Sequence, residues 1–257
     1  MIFRGRTGYH IVIRRLLKSG VPNTELPNRV LPNADNTNQE NSMDFKELRK
    51  EYETAGFDPA DLPEDPIAAF QQWFKAASES CPDPAFEANA MALATSNKDG
   101  HVSCRWVLLK GMTETGIQFF TNYDSDKGQQ IASNPHAAAT FHWPWLGRQV
   151  RMEGAIRKTD RATSEEYFHS RPRGSQIGAM VSRQSAEIES REELEQMQKE
   201  LESKFEGQEI PLPENWGGYH IVPTRVEFWQ GRLNRLHDRI VFVQDDQGKW
   251  TKKRLAP

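Results

Sequence analysis

The stretch "YFHSRPRGSQIGAMVSRQS", residues 167 to 185, gathers a phenol, several guanidinium groups and several hydroxyls around one proline. On a helix Tyr167 and Arg171 stand four apart and share a face, Pro172 ends that helix, and Ser175 opens the next. A helix start offers free backbone N–H groups and a positive dipole end, so the set suits a phosphate monoester; it equally suits a capped corner between two helices. A second cluster, "CRWVLLKG", carries Arg105 and Lys110. Strict alternation along a strand puts these two on opposite faces unless a bulge or a second subunit intervenes. In "FFTNYDSDKG", Thr121 ends a strand and Ser125 precedes a short helix bearing Lys127, another loop suited to an anion. The segment "NRLHDRI", read as extended, sets Arg235, His237 and Arg239 on one face and Leu236, Asp238 and Ile240 on the other. That row of cations is either a solvated sheet face or a strand turned toward an anion.

The sequence shows no Gly-rich phosphate loop, no "GxSxG", no "HExxH" and no paired-carboxylate arrangement, so hydrolytic chemistry is poorly supported. Sites rich in Arg, Lys, Ser and aromatic rings but poor in acids and nucleophiles match a phosphorylated cofactor that brings its own reactivity. Cys81 and Cys104 form neither a CxxC pair nor a cluster with His, which argues against a disulfide framework or structural zinc and for a reducing compartment. The net charge of -3 argues against general nucleic-acid binding and confines any anion site to a local patch. Apolar runs such as "IVFV" are strand-sized, so a soluble protein is expected.

These residues have to be held by something. With 257 residues, 37% of them hydrophobic, the chain has material for a real core. Residues 1 to 43 stand apart as an extension: Arg4, Arg6, Arg14, Arg15 and Lys18 precede the first acid, Glu25, and a Pro- and Asn-rich stretch follows. It reads as a transit-like or disordered segment, and the location expected is cytoplasmic, or mitochondrial if the segment is a transit signal. From Asp65 a helix is signalled by an N-cap, Pro66 at its first position and Ile67, Phe70 and Phe74 along one face. Asp99-Gly100 marks a hairpin between two β-rich runs. Further strands at "GIQFFTNY", "AAATFHWPW", "RQVRMEGAIRKT", "YHIVPTRVEFWQG" and "RIVFVQDDQGKWTKKRL" bring the expected number to six or seven, closed into an antiparallel barrel. Helices are expected at 160 to 170, 175 to 181 and 190 to 205, the last as a solvated amphipathic face.

Taken in order, "RWVLLKG", "FFTN", "RQVRMEG", "YFHSRPRGSQIGAMVSRQS", "WGGY", "EFWQG", "NRLHDRI" and "RLAP" resemble the pyridoxamine 5'-phosphate oxidase family across residues 44 to 257. The resemblance implies a mainly β, FMN-binding split β-barrel with peripheral helices, forming a homodimer with its site at the subunit interface. It implies oxidation of pyridoxamine or pyridoxine 5'-phosphate to pyridoxal 5'-phosphate, hydride passing from substrate C4' to flavin N5 and O2 reoxidising the flavin to give hydrogen peroxide. Carried over by position, Arg105, Trp106, Val107, Leu108, Phe120 and Thr121 correspond to flavin contacts, as do Lys127, Gln149, Gln184, Ser185, Trp229 and Arg239. Lys110, Tyr167, Arg171 and Ser175 correspond to the substrate phosphate site, and Arg235 and His237 lie against the substrate ring as the catalytic pair. Arg49 and Tyr52, in "LRKEY", match a segment that folds over the active site. One departure is Asp126, where the family commonly carries Arg; an acid there removes one phosphate cation and repels the FMN phosphate. A silent flavin or pyridoxal phosphate carrier and a nicotinamide-dependent flavin reductase on the same barrel are the alternative functions.

Overall fold

The computed structural model of the chain describes residues 51–52, 54–83 and 85–257. The basic extension and Arg49 lie outside these residues. Asp65 accepts a hydrogen bond from the Ile67 N–H at 2.9 Å and Pro66 takes the first helical position, so α1 (Pro66–Glu79) starts where its sequence signals place it. Its buried face, with Ile67, Phe70 and Trp73, packs on the sheet through Phe141, Trp143 and Phe228. Each such aromatic contributes roughly 1.5–3 kcal/mol of burial free energy.

The sheet is antiparallel throughout and has nine strands: β1 (Ala90–Ser96), β2 (Val102–Leu108), β3 (Gly111–Thr113), β4 (Gly116–Asn122), β5 (His136–Trp143), β6 (Arg148–Lys158), β7 (Trp216–Gln230), β8 (Asp238–Gln244) and β9 (Trp250–Leu255). The excess over the expected six or seven comes from the short β3 and from the last segment, which folds back as a hairpin at Asp245–Lys249. The order is β2-β1-β5-β6-β7-β4-β3, with β8 and β9 added beside β7. No ladder joins β2 to β3 or β4 among the described residues, so the barrel is split and not closed by pairing. Instead the chain changes edge between two residues: the Leu109 N–H bonds Asn89 O at 2.8 Å, and the Lys110 N–H bonds Gln118 O at 2.9 Å.

β7 organises the rest. Its first half pairs with β4 and its second with β8, while β6 runs along the other edge. The register skips Thr224 where Gly154 meets Pro223, a residue with no N–H to lose from the ladder. A Cβ on Gly154 would stand 2.1 Å from Val222 O, so only glycine fits this bend.

Helices α2 (Asp126–Ser133), α3 (Arg161–Ser170), α4 (Arg173–Val181) and α5 (Arg191–Lys204) decorate the sheet. Phe168, Ile177, Val181, Ile210, Leu212 and Trp216 form a second apolar cluster. Leu194, Met197 and Leu201 of α5 pack against it, so this charged helix is tied down along one face and solvated only on the other. α4 starts at Arg173 behind Pro172, two residues earlier than expected, which puts Ser175 inside the first turn with its N–H on Pro172 O at 2.8 Å.

Candidate active site

A cavity of about 520 Å³ opens beside the point where the chain leaves β2. β2 lines it with Arg105, Trp106, Val107 and Leu108, and Lys110 follows just beyond the strand end. Arg105 and Lys110 therefore share one cavity, against the alternation argument, because Lys110 already bonds to β4 and no longer follows the β2 pleat. The opposite wall is aromatic. Phe120 stacks on Tyr167 with ring centroids 4.0 Å apart, and both rings lie nearly parallel to Trp216. Arg171, the residue that ends α3, lays its guanidinium 4.7 Å over the Trp216 ring, and its Nη1 is buried with no hydrogen-bond partner. Burial pulls the Arg171 pKa down, with Tyr167 opposing, and pushes that of Tyr167 up. Such a guanidinium is held short of an acceptor, the state that an incoming anion relieves.

At the α2 side Ser125 caps the helix and Lys127 is buried. Lys127 Nζ donates to Gln184 Oε1 at 2.6 Å, Thr121 Oγ1 at 3.1 Å and Ser125 Oγ at 3.3 Å. Burial first, then neighbouring Arg105, lower its pKa to about 8, with Asp126 opposing. Arg105 is itself anchored by Thr95 Oγ1 at 2.6 Å, by Leu93 O and by Ser103 Oγ. Asp126 is exposed on the same cavity, an acid among these cations. Ser185 closes the wall beside Gln184 with φ 73, a left-handed conformation uncommon for a residue with a side chain.

The other expected residues do not line this cavity. Gln149, Trp229 and Arg239 sit side by side across β6, β7 and β8. His237 packs on Trp229 at 4.6 Å between ring centroids, and Tyr52 meets both rings edge-on at 5.6 and 6.0 Å. Arg235 lies nearby in sequence but is not on a strand: Leu233–Arg235 is a single 3-10 turn, Asn234 and Arg235 have φ 56 and 60, and β8 begins only at Asp238. The common face expected for Arg235, His237 and Arg239 is thus replaced by a turn. In it the Arg232 N–H donates to His237 Nδ1 at 3.1 Å, which leaves the proton of the neutral imidazole on Nε2. Burial and Arg235 lower the His237 pKa, favouring that neutral form. Asp238 bridges Arg232 Nη1 at 3.3 Å and Arg254 Nη1 at 2.7 Å, which ties the turn to β9. Ser175, in the first turn of α4, also stands outside the cavity lining.

The chain matches two family models, one described as pyridoxamine 5'-phosphate oxidase over residues 84–205 and one as the pyridoxine 5'-phosphate oxidase C-terminal dimerisation region over residues 216–257. It is 49% identical to a pyridoxine/pyridoxamine 5'-phosphate oxidase of Rhodopirellula baltica over 82% of this chain and 96% of that one. The chain belongs to the pyridoxamine 5'-phosphate oxidase family. A second oxidase of the same name, from Pseudomonas paraeruginosa, is 50% identical over 84% of this chain and its own entire length. Identity at this level over nearly whole relatives makes this family member an enzyme of the oxidase class. Among solved structures, PhzG from Burkholderia lata, in complex with tetrahydrophenazine-1-carboxylic acid, superposes with a TM-score of 0.75 at 26% identity, over 81% of this chain and all of that one. An FMN-binding protein of Nostoc punctiforme, related to pyridoxamine 5'-phosphate oxidase, shares the fold at TM-score 0.58 and 17% identity, over 74% of this chain and 95% of that one.

Within this oxidase, Trp216 is the cavity residue missed by sequence reasoning. Its signal was the "WGGY" run, where the glycines let the strand pass close to neighbours: a Cβ on Gly218 would stand 2.8 Å from Phe120 Cε1.

Proposed function

We propose that this chain is an FMN-dependent oxidase that converts pyridoxine 5'-phosphate and pyridoxamine 5'-phosphate into pyridoxal 5'-phosphate, with O2 as electron acceptor and hydrogen peroxide as product, water entering and ammonia leaving when the amine is the substrate. The observation that carries the reading is the buried, unpartnered Arg171 Nη1 over Trp216, in the same cavity as the Arg105 and Lys127 cations. Two cationic groupings around stacked aromatics fit a phosphorylated flavin and a phosphorylated ring substrate. Arg105, Lys127, Thr121, Gln184 and Ser185 would hold the FMN, with Trp106, Val107, Leu108 and Phe120 lining its bed. Lys110, Tyr167 and Arg171 would take the substrate phosphate, with Ser175 in the first turn of α4 outside that lining. Bound FMN supplies the two-electron acceptor that O2 restores.

The chain's own contribution is binding and orientation. His237, with Nδ1 engaged by the Arg232 N–H, offers Nε2–H as a donor to the substrate ring, and Arg235 adds positive charge beside it. Neither residue has to transfer a proton. Gln149, Trp229 and Arg239 complete the flavin contacts. Because Trp216 and Trp229 stand near opposite ends of β7, up to about 40 Å apart along an extended strand, the two residue groups would meet through a homodimer with its site at the subunit interface. The match to the family's C-terminal dimerisation region supports that assembly. A cytoplasmic location goes with this reading, or a mitochondrial one if the N-terminal extension is cleaved as a transit signal; the mass of the mature protein from cells decides between them.

The test is reconstitution with FMN, addition of pyridoxine 5'-phosphate in air, and parallel measurement of pyridoxal 5'-phosphate and hydrogen peroxide. Equal yields of the two are expected. Flavin fully bound with no product would leave a silent carrier, and bleaching of the flavin by NADH but not by the vitamer would point to a reductase.

A further inference from the structure

We propose that Glu227 is a positioning residue for Arg239, fixing its guanidinium in the orientation in which it meets the flavin; this rests on the FMN reading above. Glu227 lies on β7 and is 3% exposed. A carboxylate that deep persists only where it is paired. Three arginines converge on it. Arg239 Nε donates to Oε1 at 2.8 Å, while Arg225 Nη2 and Arg151 Nη1 stand 3.7 and 3.9 Å from its carboxylate at Oε2.

These partners are unequal. Arg151 is bound to Glu153 at 2.6 Å and Arg225 stands 3.9 Å from the same residue, so both have a second carboxylate. Arg239 has its ion pair with Glu227, and its Nη1 donates to Ala256 O at 2.9 Å. With Nε and Nη1 engaged, the guanidinium is pinned on two sides. The hydrogen bond that Arg239 donates to Glu227 also raises the Arg239 pKa. The register shows what this orients. Trp229 pairs with Arg239 on one side and with Gln149 on the other, and Glu227 lies two residues before Trp229 on the same face. Arg239 therefore leans back one rung onto Glu227 and is the cation of the row Gln149, Trp229, Arg239.

A purely structural role, neutralising an arginine-rich sheet face, predicts something different. Glu227→Asp keeps the charge but withdraws the carboxylate from Arg239 Nε by one methylene, whereas Glu227→Gln keeps an acceptor at Oε1 and loses the charge. In the full-length, ligand-free chain, the Arg239 Nε–Hε signal is followed by NMR, assigned through its loss in Arg239→Lys, and FMN affinity is followed by quenching of flavin fluorescence. Slow exchange of that Hε is expected in the wild type and in Glu227→Gln, and fast exchange in Glu227→Asp. FMN binding should weaken about tenfold in Glu227→Asp and about threefold in Glu227→Gln, as loss or weakening of a charge-assisted bond implies. Adding Arg239→Lys to Glu227→Asp should cost less affinity than Arg239→Lys alone. Wild-type exchange in Glu227→Asp, a larger loss in Glu227→Gln than in Glu227→Asp, or additive losses would overturn the proposal. Unchanged FMN affinity in Arg239→Lys alone would instead remove Arg239 from the flavin site, while the Hε exchange still judges the Glu227 pairing.

Discussion

Lys127 joins burial to a titratable charge at the cavity wall. Its amine is lowered to about 8, chiefly by burial, so without ligand it is largely protonated at neutral pH and loses its proton just above it. A phosphate binds the protonated form. FMN affinity is therefore expected to be flat up to about pH 8 and to fall above it, read by flavin titrations across the range; Lys127→Arg should remove the inflection, since arginine stays charged. The same shift acts on the ligand-free fold with a definite sign. A lysine depressed in the folded state binds fewer protons there than in the unfolded chain. Its contribution to stability thus rises between about pH 8 and the ordinary lysine value and is lost as pH falls through 8. On the reading that this cavity takes the FMN phosphate, Asp126 works against it. It faces the cavity of Arg105 and Lys127, and reversing its charge in Asp126→Arg should tighten FMN by roughly tenfold at low salt, an advantage that shrinks as salt rises. An unchanged dissociation constant would remove Asp126 from the phosphate's surroundings.

At the scale of elements, α1 shows a cap and a core face without a catalytic duty. Asp65→Ala removes the bond to the Ile67 N–H and should destabilise the fold by about 1 kcal/mol, seen as a lower urea midpoint by tryptophan fluorescence. FMN affinity should stay at the wild-type value, because α1 contributes no residue to the cavity. The elements also explain which features are legible in the sequence. The α1 cap, the Asp99-Gly100 hairpin and the α2 cap at Ser125 depend on neighbours a few residues apart, and each was legible. "NRLHDRI" was not, because alternation applies only to extended backbone. Asn234 and Arg235 turn left-handed there, with no glycine to announce it. The Arg105 and Lys110 relation failed similarly, since a change of sheet edge inside "VLLKG" leaves no mark in composition.

For the whole molecule, the division of the expected residues into a cavity group and a β6-β7-β8 group is the feature that assembly has to resolve. If one site takes Arg171 from one protomer and His237 from its partner, Arg171→Ala and His237→Ala should each abolish turnover alone. Co-expressed under two tags and purified through both, the mixed dimer should recover about half of the wild-type activity per dimer, because both lesions fall in one of its two sites. No recovery would show that each protomer builds its site alone.

Local chemistry in the sequence determined the family, the antiparallel β class, the helix positions and the inventory of cations and aromatics, because caps, turns and ordered motifs are read over short distances along the chain. Only the tertiary structure decided how that inventory is divided. Long-range pairing along β7 holds Trp216 with Phe120, Tyr167 and Arg171 at one end, and Trp229 with His237 and Tyr52 at the other. It also brought Glu227 under Arg239 through the register of β7 against β8, a relation between residues on separate strands that no spacing within either strand encodes.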